Sequence, residues 1–277
     1  MKRGTARILR WFGLLEVGRR AELRLRMRQP RALPDVVILG AQKSGTSSLH
    51  NYLVQQPGVI GPLRKEVHYF DVNLGRGESW YRAHFGRLGD PGLNIDSSPY
   101  YLFHPAVPTR MRALLPDAKL IVLLRDPVRR AYSHYWHERD KGREKLEFEA
   151  AIAAEAGRLG DAHERLAAGT LERSFAHQHF SYLARGRYAE QLEAWFDVYP
   201  RGQFLILRFE DLVQAPLATL NETLHFLGLP PATAVDLEAR NTRQYPPMAA
   251  AVAAQLRDHY EPHNRRLDAL LGRPMGW

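Results

Sequence analysis

The sequence predicts an α/β domain: a central parallel sheet flanked by helices. Three observations predict it. Short continuous apolar runs recur at residues 35–40, 119–124 and 203–209. Stretches of helical pattern alternate with them. The first two runs end in turn-forming residues that open a helix. Such runs read as strands buried on both faces, and strands alternating with helices read as a parallel sheet covered on both sides.

The first run, Asp35-Val-Val-Ile-Leu-Gly40, leads into a Gly/Ser/Thr-rich turn. A helix is then expected over 47–56, stopped by Pro57-Gly58. Residues 93–96 add a short strand, and Pro62-Leu-Arg-Lys65, just before Glu66, reads as loop leading into another. The second run ends in Arg125-Asp126-Pro127, with Asp126 as N-cap and Pro127 in the first turn of a helix that runs to about Lys141, before Gly142. A helix over 188–199 precedes the third run. The tail over 248–271 reads as a helix turned or broken at Pro262. Residues 144–185 hold Ala- and Glu-rich helical pieces interrupted by Gly157, Gly160 and Gly169, and are expected to form an insertion or lid.

No Gly/Ser- or Pro-rich linker divides the 277 residues, so 35–277 is expected to be one domain, large enough to bury its own core. The chain has no cysteine, which excludes disulfides, thiolate metal sites and a cysteine nucleophile. The formal net charge is +9, which suits an anionic partner or a surplus of surface arginine. Residues 1–34 are a basic segment around Trp11, Phe12, Leu14 and Leu15. That apolar cluster is far shorter than the ~20 residues that span a bilayer. It also lacks the form of a secretory signal. Packing on the domain or fraying is the expected state, with peripheral membrane contact through residues 1–30 as the alternative. The expected location is cytoplasmic, with membrane association open.

Two elements carry chemistry. In Gly40-Ala-Gln-Lys-Ser-Gly-Thr-Ser-Ser48, glycines admit close approach of a ligand, and free N–H groups at a helix start attract an anion. Lys43 adds an ammonium, and Ser44, Gly45, Thr46 and Ser47 complete the cradle with backbone and hydroxyl donors. This is no Walker A loop, because the lysine precedes Gly45 and Thr46 follows it directly. The second element pairs Arg125 at a strand end with Ser133 about two helical turns on, where both can meet one phosphate. Arg129 and Arg130 read as a solvated helix face.

Together these two motifs resemble the PAPS-dependent sulfotransferases (PAPS is 3′-phosphoadenosine-5′-phosphosulfate), in particular the carbohydrate branch with the heparan sulfate enzymes and bacterial relatives. Further matches are Lys65-Glu-Val-His-Tyr-Phe-Asp71, Ile95-Asp-Ser-Ser-Pro-Tyr-Tyr-Leu102, Phe209-Glu-Asp-Leu212 and the closing Gly272-Arg-Pro-Met-Gly-Trp277. The likeness covers roughly residues 35–277. It implies a P-loop NTPase-like sulfotransferase fold and transfer of a sulfuryl group from PAPS to a hydroxyl or amine, with 3′,5′-adenosine diphosphate as product and no metal. It implies that the first motif holds the 5′-phosphosulfate and that Arg125 and Ser133 hold the 3′-phosphate. Glu66 becomes the general base, and Lys43 stabilises the leaving oxygen. His137 matches a histidine of the N-sulfating members, as a second acid/base or acceptor contact. Lys65, His68, Ser98 and Tyr100 fall on the substrate side. Asn241, Thr242 and Arg243 fall in a loop that closes over the donor, where the family more often has Lys-Gly-Arg. The implied acceptor is a glycan, a glycolipid or a small alcohol, and no nucleic-acid motif is present. Two rival readings remain at this point: a magnesium-dependent nucleotide kinase or ATPase, and a non-enzymatic polyanion-binding protein.

Overall fold

The computed structural model describes residues 17–18, 20–25, 29–237 and 245–277. Five strands, β1 (Val36–Gly40), β2 (Val59–Ile60), β3 (Leu93–Ser97), β4 (Lys119–Leu124) and β5 (Phe204–Arg208), form one sheet in the order β2-β3-β1-β4-β5. Every pairing is parallel. All five residues of β1 are buried, as its unbroken apolar run requires.

The helices are α1 (Thr46–Leu53), α2 (Glu78–Arg82), α3 (Val107–Leu114), α4 (Pro127–Asp140), α5 (Phe148–Ala153), α6 (Glu155–Leu159), α7 (Ala162–Ala167), α8 (Phe175–His179), α9 (Tyr188–Phe196), α10 (Phe209–Gln214), α11 (Pro216–Leu227) and α12 (Ala250–Leu271). Alternate strand residues feed two cores. On one face Val37, Leu39, Leu120 and Val122 meet Leu192 and Trp195 of α9. On the other, Ile38, Ile121 and Leu123 meet Leu49 of α1 and Leu220 and Leu224 of α11. Each fully buried side chain of this size contributes about 1.5–3 kcal/mol. A third core joins α4 to α12 and the segment before α9 through Tyr135, Phe148, Tyr182, Leu256 and Tyr260.

Helix α4 starts where its cap chemistry directs. Asp126 accepts from the N–H groups of Val128 at 2.9 Å and Arg129 at 3.4 Å, and Pro127 fills the first turn. Three local expectations are corrected. Helix α12 runs unbroken through Pro262, because the proline sits on its exposed side and packing of Leu256, Tyr260 and Leu267 holds the helix together. Glu66 does not lead into a strand, since the strand of that region, β2, precedes it and residues 61–68 are irregular. Arg130 is not solvated but wholly buried, with its guanidinium donating to the Tyr182 carbonyl. Arg129 is exposed, beside Asp126.

In the N-terminal segment Ala21 is buried, and Arg24 donates to the carbonyls of Ala83 and Phe85, 3.2 Å each. Residues 144–185 hold helices α5 to α8 and are tied down by buried carboxylates. Glu144 bonds Arg158 and the Tyr182 hydroxyl, and Glu155 accepts from the N–H groups of Leu183 and Ala184. Among the described residues no helix is long and apolar enough to cross a membrane.

Candidate functional site

Strand β1 lies between β3 and β4. The loops leaving the carboxyl ends of these three strands therefore converge, as ligand sites do in open parallel sheets. A cavity of about 820 Å³ opens there, a size that suits a nucleotide-sized ligand. Its wall includes Lys43, Gly45, Thr46, Ser47, Arg125 and Ser133. Both motifs singled out in the sequence thus face one space.

The first motif turns sharply into α1. Gly45 adopts φ 84°, and no side chain caps the helix behind it, so its leading N–H groups are available to an anion. A side chain at Gly45 would also lie 2.8 Å from the Phe209 ring. Ser44 is buried beneath the loop. Arg125 is fixed on three sides. Its guanidinium donates to the Lys43 carbonyl at 3.0 Å and stacks 4.5 Å from the Phe209 ring centre, while its own carbonyl accepts the Tyr188 hydroxyl at 2.8 Å. Among the described residues its buried Nε has no partner. A phosphate oxygen would satisfy that donor. Leu212, Val213, Pro216 and Leu237 give one end of the cavity an apolar wall.

Across the cavity stands Glu66. Lys65 contacts its Oε1 at 3.0 Å, and His68 Nε2 lies 3.6 Å from Oε2. His68 Nδ1 in turn donates to Asp71 at 2.7 Å. Burial alone would raise the Glu66 carboxyl. Hydrogen bonding with His68, together with the charges of Lys65 and His68, outweighs it and holds the group well below the usual carboxylate range. Burial works against a charged His68, but Asp71 and then Glu66 push it up to about 10 from its ordinary 6.5. At neutral pH the pair is therefore carboxylate and imidazolium.

The loop holding them is scaffolded from β3. Glu66 N–H donates to the Ser97 carbonyl at 3.1 Å, His68 N–H donates to Ser98 Oγ at 3.1 Å, and Ser98 donates to the buried Asp96 at 3.1 Å. Among the described residues, those other than glycine with positive φ are Lys43 at 73°, Glu66 at 65° and His68 at 54°. Each costs of order 1–3 kcal/mol, which the surrounding contacts must offset, and such strain gathers at functional sites.

The remaining expected residues divide. Tyr100 lines the cavity under Arg185, with its hydroxyl 2.7 Å from His177 Nδ1. His137 also lines it, and Lys141 Nζ donates to its Nε2 at 2.6 Å. Ser98 does not reach the cavity: it is fully buried and both its bonds brace the His68 loop. Lys65 stands behind Glu66 rather than among the lining residues. Asn241, Thr242 and Arg243 lie outside the described residues, and Leu237 and Tyr245, the described residues on either side, both line the cavity. Sequence reasoning passed over Asp71, Arg64, Trp136, Lys141, Arg143 and His179. Asp71 closed the motif that carried Glu66 and His68, and its three-residue spacing from His68 was the available signal. Arg143, in the turn after α4, and His179, the last residue of α8, lie 36 residues apart and share no motif, which left none. Among the described residues no cluster of three or more His, Asp or Glu has metal-holding geometry.

Comparison with known proteins agrees with this geometry. A sequence profile of the sulfotransferase domain matches residues 33–247. The mouse heparan sulfate glucosamine 3-O-sulfotransferase 3A1 is 30% identical over 271 residues, covering 89% of this chain and 65% of that protein. The Drosophila melanogaster bifunctional heparan sulfate N-deacetylase/N-sulfotransferase is 30% identical over 286 residues, covering 87% of this chain and 26% of that one. This chain thus spans about 65% of the length of the mouse relative. The crystal structure of a sulfotransferase from Alicyclobacillus acidocaldarius superposes with a TM-score of 0.73 at 31% identity, covering 88% of this chain and 98% of that one. With matching motifs at the ends of β1 and β4 and a profile match over most of its length, this chain belongs to the sulfotransferase domain family.

Proposed function

We propose that this protein transfers the sulfuryl group of PAPS to a hydroxyl or amine of an acidic glycan. One observation carries the reading: the Lys43 loop and Arg125 are bonded to each other and face a single cavity. A donor with phosphate at two positions needs two anion sites at a fixed spacing. The α1 N-terminus, Lys43, Thr46 and Ser47 hold the 5′-phosphosulfate, and Arg125 with Ser133 holds the 3′-phosphate. The apolar wall around Val213 and Leu237 receives the adenine. Asn241, Thr242 and Arg243 are assigned to closure over the donor by resemblance. A kinase reading is disfavoured, since Thr46 follows Gly45 where a Walker loop has lysine.

In the reaction the acceptor oxygen or nitrogen attacks sulfur, and the bond from sulfur to the 5′-phosphate oxygen breaks. The electron pair leaves on that oxygen, where Lys43 and the loop N–H groups stabilise it. The acceptor proton passes to Glu66, which its neighbours keep ionised. His68, charged and held by Asp71, orients Glu66. Lys65 and Ser98 position the same loop, and Tyr100 and His137 border the acceptor. Arg64, Lys141 and Arg143 also line that part of the cavity, so an acceptor bearing carboxylate or sulfate groups fits better than a neutral alcohol. The heparan sulfate names of the relatives agree with this.

The basic N-terminal segment supports a second, separate proposal: peripheral contact with anionic membranes through residues 1–30. Ten of the 39 Lys and Arg residues but only two of the 30 acidic residues fall within the first 34 positions. Leu23 is 58% exposed on the described part. Flotation with vesicles containing phosphatidylserine should carry the whole chain up and leave behind a form lacking residues 1–30. Equal behaviour of the two forms rejects membrane contact.

Transfer assayed by mass shift, with PAPS and uronate-containing oligosaccharides, should fall about 10²–10³-fold in Lys43→Ala and about 10²-fold or more in Glu66→Gln, with thermal unfolding unchanged. Full activity in both variants removes the mechanism. Asp71→Asn should bring His68 down from about 10 toward 6.5, read by NMR titration of its ring protons. The sign follows from linkage. The stability His68 gains from its partners is full below pH 6.5 and is lost as pH rises through about 10. Wild type and variant should therefore differ in stability at pH 6 and converge above pH 10. A His68 titration unmoved by the substitution contradicts the assignment.

A further inference from the structure

Glu138 has no part in the transfer steps above, yet it is wholly buried at the wall of the same cavity. Cationic or imidazole groups from three stretches of chain gather on it. His134 and His137 of α4 lie 3.9 and 3.8 Å from its Oε1. Arg143, from the turn after α4, donates to Oε2 at 2.8 Å, and His179 at the end of α8 has Nδ1 3.4 Å from the same oxygen.

The hydrogen bonds fix orientation as well as proximity. Arg143 NH1 also lies 3.1 Å from His179 Nδ1. A guanidinium can only donate, so in this contact Nδ1 of His179 accepts and the ring proton sits on Nε2, on the opposite edge; Glu138 then holds His179 through Arg143, whose NH1 bridges the carboxylate and Nδ1. Burial, which lowers the His179 pKa, favours this neutral form. Arg143 and His179 both line the cavity. Among the described residues the NH2 of Arg143 makes no protein hydrogen bond, so the fork keeps donors for a ligand. An arginine one-third exposed would otherwise give up rotamer freedom on binding. Anchored beforehand, it gives up less.

We infer that Glu138 is a positioning residue for the acceptor, holding Arg143 and His179 as a preset pair of donors for an anionic group, carboxylate or N-linked sulfo group, of the bound glycan. This rests on the proposed function and adds the residue that organises acceptor recognition.

Two opposite effects make it testable. If Glu138 were only a negative charge near the wall, its removal would tighten binding of an anionic acceptor. If it positions Arg143, removal weakens binding. Calorimetry should follow two ligands separately. One is 3′,5′-adenosine diphosphate. The other, titrated with the nucleotide present, is a tetrasaccharide of alternating glucuronate and N-acetylglucosamine, in plain and N-sulfated forms, with the neutral chito-tetrasaccharide as control. Glu138→Gln and Arg143→Gln should each weaken the anionic tetrasaccharides about tenfold, and the double variant should lose little more. Nucleotide affinity should stay within about twofold of wild type. Equal losses for the two forms point to the carboxylate they share, and a larger loss for the N-sulfated form to the sulfo group. Arg143→Gln alters a side chain that reaches solvent, so it reads out even if Glu138→Gln unfolds. Unchanged or tighter tetrasaccharide binding, fully additive losses, a parallel loss of nucleotide affinity, or no preference of wild type for the anionic sugars overturns the inference. Failure of wild type to bind the nucleotide would overturn the donor reading, and this inference with it.

Discussion

The structure depends on one bond between two strand ends. Arg125 closes β4, Lys43 follows β1, and the guanidinium of the first donates to the carbonyl of the second at 3.0 Å. Parallel pairing of β1 with β4 brings both loops to one side of the sheet. The bond then sets the spacing between the helix-terminus cradle and the second cationic site. Stacking on Phe209 and the Tyr188 hydroxyl keep the arginine from swinging away. On the proposed function, a donor with two separated phosphates would meet a site already spaced for it, so little binding energy would go into arranging the protein.

Strain marks where that arrangement matters. Lys43, Glu66 and His68 all carry a left-handed backbone although none is glycine. The loop holding the last two survives because β3 supplies partners for its N–H groups and the buried Asp96, bonded by Tyr81, Tyr101 and Ser98, sits behind. Glu66 is kept ionised and His68 charged by mutual contact and by Asp71, although desolvation opposes both. Arg64, Lys141 and Arg143 add cationic side chains to the same cavity, in keeping with the anionic acceptor proposed above.

Much of this was legible in the sequence, for identifiable reasons. Strands buried on both faces leave unbroken apolar runs, so β1 and β4 stood out, and β5 carries the same apolar pattern although it is a half-buried edge strand. The start of α4 was written in Asp126-Pro127, whose cap chemistry is local. The anion cradle was legible because glycine, lysine and hydroxyl residues have few other reasons to crowd a strand-to-helix turn. What could not be read was tertiary. Arg130 looked like any surface arginine, and only the packing of residues 181–183 against α4 buries it. Ser98 looked like a substrate contact, but its hydroxyl is spent on the scaffold. Pro262 looked like a turn or break, yet α12 continues through it, held by its buried contacts on either side. The Glu138 cluster draws on three segments with no shared periodicity, and no local pattern announces it.

The account is tested most directly by comparing the affinities of 3′,5′-adenosine diphosphate and adenosine 5′-monophosphate for the wild type and for Arg125→Ala. A site built to hold both phosphates should favour the diphosphate by about two orders of magnitude in the wild type. The alanine variant should lose that preference while keeping its affinity for the monophosphate. Equal affinity of the wild type for the two nucleotides, or a preference that survives the loss of Arg125, would contradict it.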